Sequence, residues 1–91
     1  MAFFAPSENV KFVVEENGGM LLDLNTGTFF GLSPTAARIW EAITSGTAPE
    51  EVADELAAET GADRGAVSAD VGRLVHELSE RGLIHPEGER P

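Results

Sequence analysis

The chain contains no cysteine, so no disulfide framework holds it, no thiolate is available as nucleophile or ligand, and nothing argues for an oxidising compartment. Basic side chains are scarce: six Lys and Arg stand against sixteen Asp and Glu, a net charge of −10. Phosphate backbones attract proteins that bring Lys and Arg, so this balance argues against nucleic acid as a partner. The acidity serves solubility or a basic partner surface. Beyond the short apolar stretch Met1 to Pro6 there is no long apolar run and no basic leader segment. Neither a secretory signal nor a membrane span is therefore expected, no membrane partner either, and the default location is the cytoplasm.

Catalytic chemistry is also missing. The two histidines, His76 and His85, are not spaced with each other or with a carboxylate pair as metal ligands are, and they read as surface histidines. Glu50, Glu51, Asp54, Glu55 and Glu59 recur along one helical stretch, the pattern of a solvated face rather than of acid–base carboxylates. The glycines fall at turns and helix ends, and no pair has the spacing of a phosphate loop. The chain reads as a non-enzyme with no catalytic residue, no metal site and no cofactor.

What is present is enough apolar material, 42% of 91 residues, for one domain over 1–91 with a single small core. Its ordered part is expected over 10–84, with flexible ends at 1–9 and 85–91. Val10 to Glu15 alternates as a half-buried strand, followed by the turn signal Glu16-Asn17-Gly18. A two-residue Asn17-Gly18 turn would pair Val13 with Leu22. A three-residue loop with Gly18 left-handed instead sets Val10, Phe12 and Val14 opposite Leu24, Leu22 and Met20, and this register is the expectation. A loop Asn25-Thr26-Gly27 then pairs Leu24 with Thr28, Leu22 with Phe30 and Met20 with Leu32. One sheet face becomes apolar and needs helices to cover it.

The helices follow. Ser33 and Pro34 start one that carries Ala36, Ile39, Trp40 and Ile43 and ends at Gly46. A capping box Thr47-Ala48-Pro49-Glu50 starts a second, with Val52, Ala53, Leu56 and Ala57 buried and Gly61 as its stop. Asp63 caps a third that carries Val67, Val71, Leu74, Val75 and Leu78 and closes at Gly82 before Leu83-Ile84. The fold class is α+β: a three-stranded antiparallel sheet followed by three helices, winged-helix-like. Its last strand, Thr28 to Leu32, carries no charged side chain. Exposed edges are normally guarded by charge, Pro or a bulge, so an unguarded one is a liability or a binding site for an extended peptide.

The strand ending Leu21-Leu22-Asp23 is followed by Thr26-Gly27, Phe29-Phe30, Leu32, Ser33 and the helix Thr35-Ala36-Ala37-Arg38-Ile39-Trp40. Asp70-Val71, Leu74, Leu78 and Arg81-Gly82-Leu83-Ile84 come after it. In this order and spacing the residues resemble the PqqD-like precursor-recognition domains of ribosomal peptide biosynthesis, from about Val10 to Ile84. The Leu-Leu-Asp strand and single-domain length are most similar to the stand-alone B1 proteins of lasso peptide pathways. PqqD proteins, peptide chaperones for a radical SAM enzyme in quinone-cofactor pathways, are the near alternative. Those commonly lead to Pro-Glu after the Leu pair, where this chain has Asp23, Leu24 and Asn25.

The resemblance implies a non-enzymatic binder of a precursor's leader peptide, which adds as a strand against Thr28, Phe29, Phe30, Gly31 and Leu32. It implies a groove walled by Val67, Asp70, Val71 and Leu74, with Arg73 or Glu77 at the rim and Gly31 admitting the peptide backbone. The implied partners are a separate B2-type leader peptidase and a cyclase, with the chain itself a monomer or weak dimer. In the expected register Val13, Leu21 and Phe29 form an outward row, a patch for the peptidase unless Phe3 or Phe4 of the N-terminal arm covers it. Two readings of other classes compete. A winged-helix DNA-binding regulator would need a basic recognition helix, but Arg64, Arg73 and Arg81 face Asp63, Asp70, Glu77 and Glu80 there. A dimerisation domain would use the same free edge between two copies.

Overall fold

A computed structural model describes residues 3–87. The elements in chain order are β1 (Phe4–Pro6), β2 (Val10–Glu15), β3 (Gly18–Asp23), β4 (Thr28–Leu32), α1 (Pro34–Thr44), α2 (Pro49–Thr60), α3 (Arg64–Glu80) and β5 (Ile84–Pro86). β2, β3 and β4 form an antiparallel meander with β3 in the middle. The helices cover one of its faces, so the α+β, winged-helix-like expectation holds. The core gathers Leu21 from the sheet, Ile39, Trp40 and Ile43 from α1, Val52 and Leu56 from α2, and Val71 and Leu78 from α3. Leu83 and Ile84 close it from the end of the chain.

Both expected turns are displaced by one residue. The first hairpin turns on Glu16-Asn17, pairing Glu15 with Gly18 and Phe12 with Leu21. Gly18 is not in the turn but opens β3 at φ 131°, where a side chain would also collide with the carbonyl of Leu32. In the second hairpin Asp23 pairs with Thr28, leaving the four residues Leu24 to Gly27 as the loop. Asp23 explains the extra residue: its carboxylate accepts from the Asn25 N–H at 2.9 Å, an Asx turn that ends the strand before Leu24 can pair with β4. Gly27 does take the left-handed conformation expected of it, at φ 72°.

Because side chains alternate, moving β3 by one residue exchanges its faces while β2 and β4 keep theirs. Leu21, not Leu22, faces the helices and is fully buried, whereas Met20 and Leu24 are exposed. The expected outward row Val13, Leu21 and Phe29 therefore does not exist. Val13 lies opposite Met20, and Met20 opposite Gly31.

Ser33 accepts from the Ala36 N–H and Asp63 from the Ala66 N–H, as their cap positions predict. Gly61 ends α2 in the left-handed conformation. The Thr47 capping box is not formed: Ala48 is the N-cap and makes no side-chain bond, while the Thr47 N–H turns back to the Ala42 carbonyl. The chain ends also differ from expectation. Phe4–Pro6 pairs with Ile84–Pro86 as a separate two-stranded ribbon, extended by the Glu87 N–H donating to the Phe3 carbonyl. The remaining residues of the expected flexible ends, 1–2 and 88–91, lie outside the described residues.

Among the described residues Asp23 is the one buried charged residue. Burial opposes its ionisation, but hydrogen bonds from the Asn25 N–H, the Asn9 side chain and Thr26 outweigh it and hold the carboxyl below its ordinary value. A depressed native value means that Asp23 stabilises the fold above the unfolded-state value and loses this contribution as pH falls through the native one. Asp23→Asn should therefore lower Tm at neutral pH, with the gap from wild type closing on acidification. Thermal melts of both proteins between about pH 7 and pH 3 check this.

Candidate functional site

The unguarded edge expected from the sequence is present. β4 pairs only with β3, and among the described residues no other strand lies along it. The ladder's alternation shows which groups it leaves free. The Leu24 N–H donates to the Asn9 carbonyl at 2.8 Å, so odd-numbered residues of β2 bond with even-numbered residues of β3. Gly19, Leu21 and Asp23 then direct their backbone groups to Leu32, Phe30 and Thr28. Phe29 and Gly31 are left with N–H and C=O pointing away from the sheet.

Side chains divide the edge by face. Thr28, Phe30 and Leu32 point toward the helices, and Phe30 and Leu32 are partly buried against the core. Phe29 points to the outer face and is 61% exposed. A Cβ at Gly31 would meet nothing within 4 Å, so the outer face at that position is open.

The C-terminal end of α3 reaches this edge at Arg81, which lies over Phe30. Val67, Leu74 and Arg81 recur at heptad spacing and so share a stripe, with Asp70 and Glu77 adjoining it. Val67 and Leu74 are partly buried. Val71 does not belong to this flank: it is 1% exposed and is core. Arg73 pairs with Asp70 at 3.1 Å on the solvent side, and Arg73, His76, Glu77, Glu80 and Arg81 line an open depression of about 540 Å³ there. Arg81 joins the two elements. Its guanidinium lies 4.6 Å from the centroid of the Phe30 ring and its Nε is 3.7 Å from Glu77. Sequence reasoning assigned Arg81 no contact, although its place seven residues past Leu74 was the available signal.

A cation over an aromatic face stabilises by about 0.5–1 kcal/mol at an exposed site. Arg81→Ala is thus expected to cost that much in denaturant unfolding and to uncover the Phe30 ring, with the α-helical circular dichroism unchanged.

The profile of the PqqD family, described as coenzyme PQQ synthesis protein D, matches residues 18–84. The chain belongs to the PqqD family. Two solved structures show the PqqD fold over nearly the whole chain. TbiB1 in complex with the TbiA(beta) leader peptide is 33% identical, with a TM-score of 0.80, covering 96% of this chain and 99% of that one. Lasso peptide synthetase B1 complexed with the leader peptide is 30% identical, with a TM-score of 0.83, covering 91% and 98%. No curated protein sequence matches.

The features of other chemistries are not assembled in this PqqD domain. Among the described residues no group of three or more His, Cys, Asp or Glu could hold a metal, and no helix is long and apolar enough to cross a membrane. His76 lies 3.5 Å from Glu80 on the solvent side of α3. The arginines a DNA-reading helix would need are each paired with a carboxylate: Arg64 with Asp54, Arg73 with Asp70 and Arg81 with Glu77.

Proposed function

We propose that this protein is the leader-binding element of a lasso peptide pathway, a non-enzymatic domain that takes up a precursor's leader as a fourth strand on β4. The observation that carries the reading is the free edge of β4, met at Phe30 by Arg81 from the end of the α3 stripe of Val67 and Leu74, in a chain at least 30% identical to two B1 proteins captured with leader peptides. Strand addition draws affinity from main-chain hydrogen bonds and specificity from alternate side chains. The Phe29 and Gly31 N–H and C=O groups supply the bonds. Thr28, Phe30 and Leu32 with Val67, Asp70, Leu74 and Arg81 form the groove for leader side chains that point toward α3, and Arg73 and Glu77 stand at its rim. Phe29 and the open place above Gly31 meet those that point outward. Val71 acts behind the wall as packing.

The bound leader is delivered to a separate B2-type peptidase and to a cyclase, in the cytoplasm. Delivery to a radical SAM enzyme is the other PqqD role, and no feature of this structure favours it.

The test is a fluorescence-anisotropy titration with the labelled leader of the precursor encoded beside this chain, with the TbiA(beta) leader as a second probe. Saturable binding at micromolar concentration or tighter is expected, weakened by Leu74→Asp at the groove. The absence of saturable binding by the cognate leader would refute the proposal.

A further inference from the structure

The sheet has a second free edge. We propose that β2 is a self-association surface, through which two copies pair their β2 strands antiparallel about a two-fold axis at Val13. The alternation that frees Phe29 and Gly31 on β4 also turns the backbone groups of Val10, Phe12 and Val14 away from β3. Val10 is tied back, its N–H donating to the Ser7 carbonyl at 3.1 Å. Phe12 and Val14 have no other backbone partner among the described residues. The open stretch is accessible: Phe12 is 47% and Val13 60% exposed.

Charge selects the occupant. Lys11 is the only lysine in the sequence, and it is exposed on the outer face of β2. Among the described residues every arginine has a carboxylate partner, whereas Lys11 has none. A lysine in the middle of an edge strand normally guards against pairing. Here Glu15 stands two residues beyond Val13 and Lys11 two residues before it, on the same face. A second copy turned about Val13 sets each Lys11 opposite a Glu15, an arrangement favourable in directly opposed cross-strand pairs.

The same axis matches the backbone. It places Phe12 opposite Val14 of the second copy and Val14 opposite its Phe12, and these are the residues whose N–H and C=O point outward. Centring the pairing on Phe12 would need the occupied Val10 N–H, and centring it on Val14 would set Val13 against Glu15 and leave Lys11 without a carboxylate. The product is a six-stranded sheet in which both β4 edges lie at the outer ends and stay free, an isologous dimer. One strand pair buries little surface and each copy carries −10, so the association is weak.

Sedimentation of the full chain from about 1 to 500 µM tests this. A monomer–dimer equilibrium is expected within that range. Lys11→Glu and Glu15→Lys should each weaken it about tenfold or more, since two attractive pairs become repulsive, and the double exchange should restore it. Val14→Pro, which removes an outward N–H and some packing of a partly buried side chain, should abolish it while the α-helical circular dichroism is retained. A monomer throughout, a dimer indifferent to both charge reversals, failure of the double exchange to restore it, or a dimer dissolved by Gly31→Pro would each overturn the proposal. None of these results bears on leader binding at β4.

Discussion

Gly31→Pro is expected to abolish leader binding and to leave the fold intact. The Gly31 N–H points out of the sheet and has no partner among the described residues, so proline removes no ladder hydrogen bond. Proline is tolerated on edge strands for this reason. A Cβ at Gly31 meets nothing within 4 Å and its φ is not positive, so the substitution neither adds a Cβ clash nor requires a left-handed backbone. An incoming strand loses the donor and leaves its own carbonyl unpaired against the edge. A lost bond together with an unsatisfied acceptor costs about 2–4 kcal/mol, or roughly thirty-fold to a thousand-fold in Kd. Titration of the variant with the leader, beside a thermal melt, checks both halves. Phe30→Pro is the contrast: the Phe30 N–H bonds to β3 and its ring packs on the core, so that substitution should unfold the sheet.

Among truncations to alanine, a large effect on stability is expected at Leu21. The side chain is fully buried among α1, α2 and α3 residues, and truncating such a leucine costs about 2–5 kcal/mol. A domain of this size has about 5–15 kcal/mol in total, so Leu21→Ala should come close to unfolding it. Leu22, its neighbour, is on the outer face, and Leu22→Ala should cost less than about 1.5 kcal/mol. Urea denaturation of the two variants separates them. Equal losses, or a larger loss at Leu22, would mean that β3 is in the register first expected from the sequence.

That pair of leucines marks where the sequence stops being legible. β2 and β4 show their faces because polar and apolar residues alternate along Val10 to Glu15, and because Phe30 and Leu32 recur two apart. β3 offers Met20, Leu21 and Leu22 in a row, which fits either face, so the turns decide. The turns depend on features a residue list does not display: the close approach of Gly18 to Leu32, and the Asp23 carboxylate reaching Asn25. The three helices were readable from their stripes, and Ser33, Asp63 and Gly61 from cap chemistry. Thr47 had the right neighbours for a box, but its backbone N–H is drawn back to α1.

The ribbon of Phe4–Pro6 and Ile84–Pro86 joins opposite ends of the chain through strands of three residues each, too short to show a period. At the candidate site the unguarded edge was visible as an absence of charge along Thr28 to Leu32. The α3 wall was visible as a heptad stripe but misassigned at Val71, because a position one step round the helix from Leu74 belongs to the core. Arg81 continues that heptad stripe, but its contact with Phe30, from a distant strand, was not legible.

Amide hydrogen exchange read residue by residue, with and without the leader, tests strand addition at β4 most directly. In the free protein Phe30 and Leu32 should be protected, while Phe29 and Gly31 exchange quickly. Saturating leader should slow Phe29 and Gly31 sharply and change Phe12 and Val14 little. If the leader binds and Phe29 and Gly31 continue to exchange as in the free protein, the peptide is not a fourth strand on this sheet.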